Sequence, residues 1–430
     1  GRTAIQTDNL NIPTSAQLFG GFAGDETLPS DRPRERNGRL TQPTVITNSP
    51  MWSTRFNHIS GFTFLDYGDV AVDALSGTTL DEVTIDGGVS SSNDPAVWIN
   101  GEVRLHDFVC RSRSEAAGPC VATSPEGTAV LHSVDLQSIT SANPAALHMD
   151  GGSMTVHSLR STSPVRVFDV DSGAELAVVD SAITSARSTN GAVVSARSGN
   201  GVFMEDVQIN NTSSTFGDVE GGAFSIISTD LSLSRVHLRG VTFPSSAESM
   251  YGGVFGVSSS NLMLSDISVQ GVALPGLSFI EGGVMQLTNV SGSIRSSSFD
   301  APSNLEASEQ IEGSLIHLDG SQLSVINSIL WSPDPEPIFP FRSEISARHN
   351  CATDDALEAM QSNDSIALEQ RPFLPSPSLL YQTTGSPCID EGDERAAQSV
   401  WWPFRYSVAG TDVDEGQLDM GVHYSVPAAN

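Results

Sequence analysis

Three histidines stand at one repeated position of the sequence, with a spacing that could support metal chemistry. His106, His132 and His157 each follow an apolar residue, and they are 26 and 25 residues apart. If they lie on equivalent stacked strands, their imidazoles form one outward-facing row with a spacing of about 4.8 Å. Adjacent imidazoles could then share a transition metal or make binding sensitive to pH. A row of solvated polar side chains is the alternative interpretation.

Carboxylates are expected at both ends of this histidine row. The repeat places Asp81 beside His106, and it places Asp180 and Glu205 beyond His157. Carboxylate oxygens could complete the ligand set of a transition metal. The three histidines are therefore candidate metal ligands, beside the alternative of a solvated polar row.

A second acidic pattern, near the end of the sequence, favours calcium. Asp412, Asp414 and Asp419 bring oxygen ligands to alternating positions of residues 412–419. Calcium prefers such oxygen ligands, although the spacing is not that of an EF-hand loop. Calcium is therefore the candidate cofactor, and an acidic segment that binds no ion is the alternative.

The four cysteines fall into two groups that are local in sequence. Cys110 lies near Cys120, and Cys351 lies near Cys388. Such pairs are compatible with two disulfides and an oxidising compartment, or with four buried thiols. The spacings do not match a zinc site, which would need pairs of the CxxC type.

Charge limits the partners of this chain of 430 residues. Its formal net charge is −30, and it contains no lysine. This charge disfavours nucleic acid and anionic membrane surfaces as partners. No apolar run of 18 residues occurs, so we expect no transmembrane segment. Self-association, or binding to another cell-surface protein or glycan, is the remaining expectation.

The strongest pattern in the sequence is a repeat of one apolar, two polar, one apolar, one polar and one apolar residue. Copies recur at intervals of 21 to 32 residues. They begin at Ile59, Leu80, Leu105, Leu131, Val156, Val179, Met204, Leu233, Leu264, Ile294 and Ile326.

A second element keeps nearly the same period in the later part of the chain. Pairs of glycines precede alternating apolar residues at Gly221, Gly252 and Gly282, with relatives at Gly191 and Gly313. These five starts are 30, 31, 30 and 31 residues apart. Short strands that turn at glycine, and that bury an apolar face only by stacking, are typical of a solenoid.

The two elements predict an all-β fold, a single right-handed parallel β-helix with N- and C-terminal caps. Residues 1–45 are expected to form the N-terminal cap and first coil, and residues 46–332 the coils. Residues 333–430, rich in proline and aromatic residues, are expected to form an irregular C-terminal cap.

Short motifs near both ends resemble bacterial surface β-helix proteins. Residues 18–26, LFGGFAGDE, resemble the YGGFxGxE opening of these proteins, a group that includes the polymorphic outer-membrane proteins. The Gly-Gly-Ala/Val elements are similar to their GGA[ILV] repeats. Residues 385–392, GSPCIDEG, and residues 419–424, DMGVHY, resemble the ending of secreted bacterial β-helices. The resemblance implies an extracellular or outer-surface location, with a Gram-negative source.

We therefore expect an extracellular structural or adhesive protein, a possible subunit of a surface fibre or layer, rather than an enzyme. A polysaccharide-binding protein, lyase or hydrolase is the second candidate, because many parallel β-helices act on polysaccharides. Residues 97–100, VWIN, resemble a pectate lyase segment only superficially, since the following Asp-His is absent. Hydrolysis requires a pair of carboxylates across the scissile bond. Only Asp354 and Asp355 suggest such a pair, and they lie outside the regular repeats.

Overall fold

The protein is described here by a computed structural model. It describes residues 10–20, 32, 40, 43–47, 52–65, 70–87, 94–111, 118–140, 145–214, 218–243, 248–273, 277–302, 310–373, 382–383, 385–393, 405–406, 419–421 and 424–425. The predicted fold class is confirmed: the strands form long parallel sheets, as in a parallel β-helix. The chain divides into two compact units. Unit 1 comprises Gly1–Ala186 with Val193–Val202, and unit 2 comprises Arg187–Ala192 with Phe203–Asn430.

Unit 1 is a stack of rungs, each of which contributes short strands to parallel sheets. One sheet contains, in order, Leu10–Asn11, Trp52–Thr54, Val72–Leu75, Val97–Asn100, Val121–Thr123, Leu147–Asp150, Phe168–Asp171 and Val194–Arg197. A second set contains Gln17–Phe19, His58–Ser60, Thr78–Asp81, Glu102–His106, Thr128–His132, Ser153–His157 and Glu175–Thr184. A third contains Thr44–Thr47, Phe62–Leu65, Thr84–Asp86, Val109–Arg111, Asp135–Gln137 and Arg160–Ser161, which pairs with Glu175–Thr184.

Unit 2 repeats this construction and adds a further sheet. One sheet contains Phe224–Ile227, Phe255–Ser258, Met285–Thr288, Ile316–Asp319 and Ile338–Phe341. The first part of the strand Asp230–Thr242 is followed in the next rungs by Asn261–Ser265, Ser291–Arg295, Gln322–Ile326 and Glu344–Arg348. Its second part is followed by Ser268–Gln270, Ser298–Asp300, Ile329–Trp331, Cys351–Ala352 and Ile366–Ala367. The further sheet contains Val219–Glu220, Ser249–Tyr251, Phe279–Glu281 and Gln310–Glu312.

The other elements of the described chain are few. Arg187–Ser188 pairs in parallel with Gly201–Ser214, and Arg405–Tyr406 pairs antiparallel with Tyr424–Ser425. Among the described residues the sole helix is Asp354–Met360.

A left-handed corner explains the two polar positions of the repeat. The first polar residue faces outward, and the second adopts φ between 47° and 78° before the chain turns inward again. Serine, aspartate, asparagine and glycine tolerate this conformation better than branched apolar residues do. The corner residues are Gly61, Glu82, Asp107, Ser133, Ser158 and Asp180 in unit 1, and Asp206, Arg235, Asp266, Ser296, Asn327 and His349 in unit 2.

The interior column of unit 1 follows the predicted register up to Val156 and then departs from it. The partner of Val156 is Val178, not the predicted Val179. Val178 is buried, Val179 is only partly buried, and Asp180 occupies the left-handed corner. Two adjacent valines satisfied the apolar pattern equally, and the corner decides which of them faces inward.

The same error occurs once in unit 2. Ile294 pairs with Val325, so the column residue is Val325 and not the predicted Ile326. Asn327 holds the left-handed corner, which leaves Ile326 at the outward position. The copies at Leu233, Leu264 and Ile294 pair as predicted.

The parallel strands extend beyond residue 332, the predicted end of the coils. Ile338–Phe341, Glu344–Arg348 and Cys351–Ala352 each pair in parallel with the preceding rung. The first part of the segment 333–430 is therefore a further rung, because its alternating apolar residues fit the same sheets despite the surrounding prolines.

Both predicted cysteine pairs are disulfides, Cys110–Cys120 and Cys351–Cys388. Cys351 and Cys388 lie in a buried apolar cluster with Ile329, Phe373 and Met420. The Met420 amide donates to the Cys388 carbonyl at 3.0 Å, so the two motifs of the predicted ending are in contact. Two disulfides are compatible with an extracellular or secreted protein.

Candidate functional site

The three predicted histidines form a row on adjacent strands. His106 pairs with His132, and His132 pairs with His157. Their ring centroids are 5.0 Å and 4.7 Å apart, and the ring planes are within 7° of parallel. Asp81 is the strand partner of His106, as the repeat predicts.

This stacking does not gather the three imidazoles around one point. His106 and His157 are separated by two rungs, which is about 9.6 Å, whereas zinc holds its nitrogen ligands at about 2.1 Å. The carboxylates predicted beyond His157 are also placed differently. Val179, not Asp180, is the partner of His157, and Glu205 forms an ion pair with Arg235. The row therefore presents three parallel rings without the added carboxylates at that end.

Stacking affects the protonation of the central ring. The pKa of His132 is lowered from 6.5 by partial burial and by the neighbouring His157 and His106. A second charge in the row would be repelled by the first at this spacing. The arrangement thus keeps the central imidazole neutral to lower pH than an isolated histidine.

The predicted calcium segment is described only in part. Asp412 and Asp414 lie outside the described residues. Asp419 is buried, and its carboxylate accepts a hydrogen bond from the Asp390 amide at 2.7 Å. In the described structure Asp419 therefore holds a turn of the C-terminal segment.

Two other groups of histidine and carboxylate residues have ligand atoms within 4.8 Å of one another in the described chain. The first, which we name the aspartate cluster, contains His148, Asp169 and Asp171 of unit 1. His148 and Asp169 are partners on adjacent strands of one sheet, and Asp171 lies two positions further on the same face. The His148 Nδ1 atom is 3.0 Å from Asp169 Oδ2.

Arginines compensate the charge of the aspartate cluster. Arg166 donates to Asp169 Oδ1 at 3.0 Å, and Arg197 is the strand partner of Asp171. The pKa of Asp171 is raised by burial and by Asp169, while His148 and Arg197 act in the opposite direction. The buried Asp169 therefore has a cation on one oxygen and an imidazole on the other.

The second group, which we name the corner cluster, contains Glu281, Glu312 and His317 of unit 2. Glu281 and Glu312 are partners on adjacent strands, and each is followed by a glycine, Gly282 and Gly313, with φ of 70° and 77°. A side chain at Gly282 would collide with the carbonyl of a nearby residue of its own rung. The glycine corner turns the chain so that the side chain five positions later faces the glutamate. Gln286 therefore faces Glu281, and His317 faces Glu312.

The corner cluster contains no arginine partner among the described ion pairs. Gln286 donates to Glu281 Oε2 at 2.6 Å, and Gln310 donates to Glu312 Oε1 at 2.9 Å. His317 is 6% exposed, and its Nδ1 atom has no hydrogen-bond partner in the described structure. This nitrogen lies 3.7 Å from Glu281 Oε2 and 3.9 Å from Glu312 Oε2.

A third glutamate belongs to the surroundings of the corner cluster. The pKa of Glu336 is raised by burial and by the nearby Glu312 and Asp334, and His317 lowers it. The Glu336 carbonyl accepts a hydrogen bond from the Ser314 amide at 2.9 Å, which places Glu336 on the next rung. Glu336 therefore adds negative charge near the corner cluster, although it is not among the residues whose ligand atoms lie within 4.8 Å of one another.

Unit 2 also contains a polar cleft that no pattern predicted. It is lined by Gln208, Asn210, His237, Leu238, Arg239, Ser268 and Gln270. His237 is paired with Ser268, and Arg239 with Gln270, on adjacent strands. The His237 Nδ1 atom is 3.0 Å from the Ser268 hydroxyl. Residues with amide, hydroxyl, imidazole and guanidinium groups thus line one groove.

Sequence reasoning missed both clusters, although a signal was present for each. Ile-Glu-Gly occurs at residues 280–282 and again 31 residues later at 311–313, in step with the glycine element. His-Met-Asp at 148–150 and Asp-Val-Asp at 169–171 are likewise one rung apart. The prediction covered the residues of the interior column, and these residues lie at outward positions that it did not include.

Comparison with known proteins adds no relative. No protein-family model matches the chain, and no curated protein matches its sequence. Within the described residues, no helix is both long enough and apolar enough to cross a membrane.

Proposed function

We propose that this protein is an extracellular structural or adhesive β-helix protein, a subunit of a cell-surface fibre or layer, without catalytic activity. The observation that carries the proposal is the regular stacking of parallel rungs in each unit, with outward rows that repeat at the strand spacing. Repeated rows of this kind offer many identical weak contacts to a partner surface or a second copy of the chain.

Several features support a location outside the cell. Two disulfides fit an oxidising environment, and a net charge of −30 keeps a long surface soluble. The resemblance of the end motifs to surface β-helix proteins supports the outer surface of a Gram-negative cell. Partners of this kind of surface are a second copy, another surface protein or a glycan.

Electron microscopy of the purified chain tests the structural proposal. We expect ordered fibres or layers at micromolar concentration, or isolated particles that bind intact cells when the chain is coated on beads. Leu131→Asp, which should not fold, provides the unfolded control for both assays. Isolated particles that bind neither each other nor any cell would overturn the proposal.

Polysaccharide binding is the second candidate, and the polar cleft of unit 2 favours it. Sugar hydroxyls are recognised by amides, hydroxyls and charged groups that line a groove, and Gln208, Asn210, Arg239 and Gln270 are among the residues that line this small cleft. The described residues of the lining include no carboxylate, and acid–base hydrolysis requires a pair of them. The cleft therefore supports binding more than cleavage.

A glycan array separates the two candidates. If the cleft binds a polysaccharide, Asn210→Ala should reduce the array signal at least tenfold, while Asn261→Ala, outside the cleft, should leave it unchanged. An empty array for the folded chain, or equal signals for both variants, would remove this candidate.

A further inference from the structure

We propose that the corner cluster of Glu281, Glu312 and His317 binds a divalent transition-metal ion with the preferences of zinc. This site goes beyond the structural role proposed above and does not depend on it. It lies in unit 2, whereas the histidine row that the repeat singled out belongs to unit 1.

The buried imidazole of His317 indicates a missing ligand. His317 is 6% exposed, and its Nδ1 atom lacks a hydrogen-bond partner in the described structure. A buried polar atom without a partner costs free energy, so such atoms usually meet a water, an ion or a ligand. This nitrogen points toward Glu281 and Glu312, which makes the space between the three side chains the position of the missing partner.

The negative charge of the paired glutamates also favours a cation. Glu281 and Glu312 stand directly opposite each other on paired strands, where like charges are destabilising. Their described hydrogen-bond partners are the neutral amides of Gln286 and Gln310, and the nearby Glu336 adds further negative charge. A divalent cation would compensate this charge at the point where the carboxylates face the imidazole.

The distances fit a small ion. In tetrahedral coordination zinc holds nitrogen and oxygen ligands at about 2.1 Å, which places neighbouring ligands about 3.4 Å apart. His317 Nδ1 is 3.7 Å and 3.9 Å from the two glutamate oxygens. Each separation needs to close by a few tenths of an ångström, within the reach of glutamate side chains.

The donor set favours zinc over calcium. One imidazole and two carboxylates match the nitrogen and oxygen ligands of zinc, whereas calcium prefers six to eight oxygens and no imidazole. A water would supply the fourth ligand. Because Glu281 lies on one rung and Glu312 with His317 on the next, the ion would link two rungs of unit 2.

The test is zinc titration of the full chain after treatment with a chelator, followed by calorimetry and by thermal unfolding. We expect one zinc ion per chain with micromolar or tighter affinity, and a rise in Tm of about 5 °C at a hundredfold excess over Kd. Calcium at the same concentration should give no comparable rise. His132→Gln, which disrupts the exposed histidine row, should leave the zinc affinity unchanged.

Glu281→Gln and Glu312→Gln decide between a metal site and a structural ion pair. Each variant should weaken zinc binding at least tenfold, yet unfold at the same or a higher temperature than the parent without metal, because carboxylate repulsion is relieved. If both variants instead lower Tm without metal, the glutamates stabilise the fold through their contact with His317, and the proposal fails. It also fails if zinc does not bind, if calcium binds equally well, or if His132→Gln alone removes binding.

Discussion

The aspartate cluster and the corner cluster use the same residue types and reach different electrostatic outcomes. In the aspartate cluster, Arg166 donates to the buried Asp169, and the other carboxylate oxygen meets His148. In the corner cluster, glutamine amides take the place of arginine, and the His317 Nδ1 atom has no hydrogen-bond partner in the described structure.

The two clusters differ in whether the protein itself supplies a positive charge beside the carboxylates. Parallel rungs bring equivalent positions together regardless of chemistry, so a histidine beside carboxylates is not by itself evidence of a site. The informative feature is whether the protein supplies its own counter-charge. Where an arginine is present the cluster is satisfied internally, and where only neutral amides are present a cation can complete it.

The largest change would remove the stack on which the aspartate cluster depends. Leu131→Asp places a charge in the fully buried interior column of unit 1, where nothing can pair with it. We expect a loss of more than about 5 kcal/mol, or no folded protein, since truncation of a buried leucine alone costs about 2–5 kcal/mol. Chemical denaturation monitored by circular dichroism measures the effect.

Thr128→Asp is the matched control, because Thr128 is exposed on the same strand. It should change the stability by less than about 1 kcal/mol. A stable Leu131→Asp variant would show that the interior register is wrong.

Removal of the arginine would make the aspartate cluster resemble the corner cluster. Arg166→Met leaves Asp169, which is 6% exposed, with His148 as its remaining described side-chain partner. We expect a destabilisation of about 2–4 kcal/mol, because a buried carboxylate would lose its cation. Urea denaturation of the variant and parent gives the difference.

The exposed ion pair of Arg104 and Glu102 provides the comparison. Arg104→Met should cost less than about 1 kcal/mol, since both side chains are more than half exposed. Equal costs for the two variants would mean that burial does not distinguish these ion pairs.

The reverse change would make the corner cluster resemble the aspartate cluster. Gln286→Arg places a guanidinium where the amide now donates to Glu281 Oε2 at 2.6 Å. We expect zinc affinity to fall at least tenfold, because arginine would supply the counter-charge and repel the ion. Calorimetric titration measures the affinity, and Gln322→Arg, which adds the same charge at an exposed position of unit 2, should leave it unchanged.

The fold could be predicted from the sequence because stacking imposes one period on every rung. The apolar column from Ile59 to Val156 and the Gly-Gly corners followed directly from spacing. The errors at Val179 and Ile326 arose where two apolar residues are adjacent. There the left-handed corner, a backbone property, decides the register.

The candidate sites could be predicted far less well, because they depend on charge balance between rungs. The histidine row was found because three equal residues share one repeat position, yet its rings stack rather than converge. The corner cluster combines residues from two different sheets, and no single repeat position contains both Glu312 and His317. The described ion pairs of these residues include no arginine, and no repeat position in the sequence encodes that property.

The smallest effect concerns the histidine row, whose described strand partners at its two ends are Asp81 beside His106 and Val179 beside His157. The pKa of His132 is lowered from 6.5 by partial burial and by His157 and His106. His157→Gln should therefore raise the His132 pKa, and NMR titration of the imidazole resonances measures the shift. His148→Gln, which alters the aspartate cluster instead, should leave the His132 pKa unchanged.

The lowered pKa also makes stability depend on pH, because the unfolded chain binds this proton more readily than the folded chain. Stability should thus decline as the pH falls below 6.5, and less so in His157→Gln. A His132 pKa at or above 6.5 in the parent protein would show that the rings do not stack in solution.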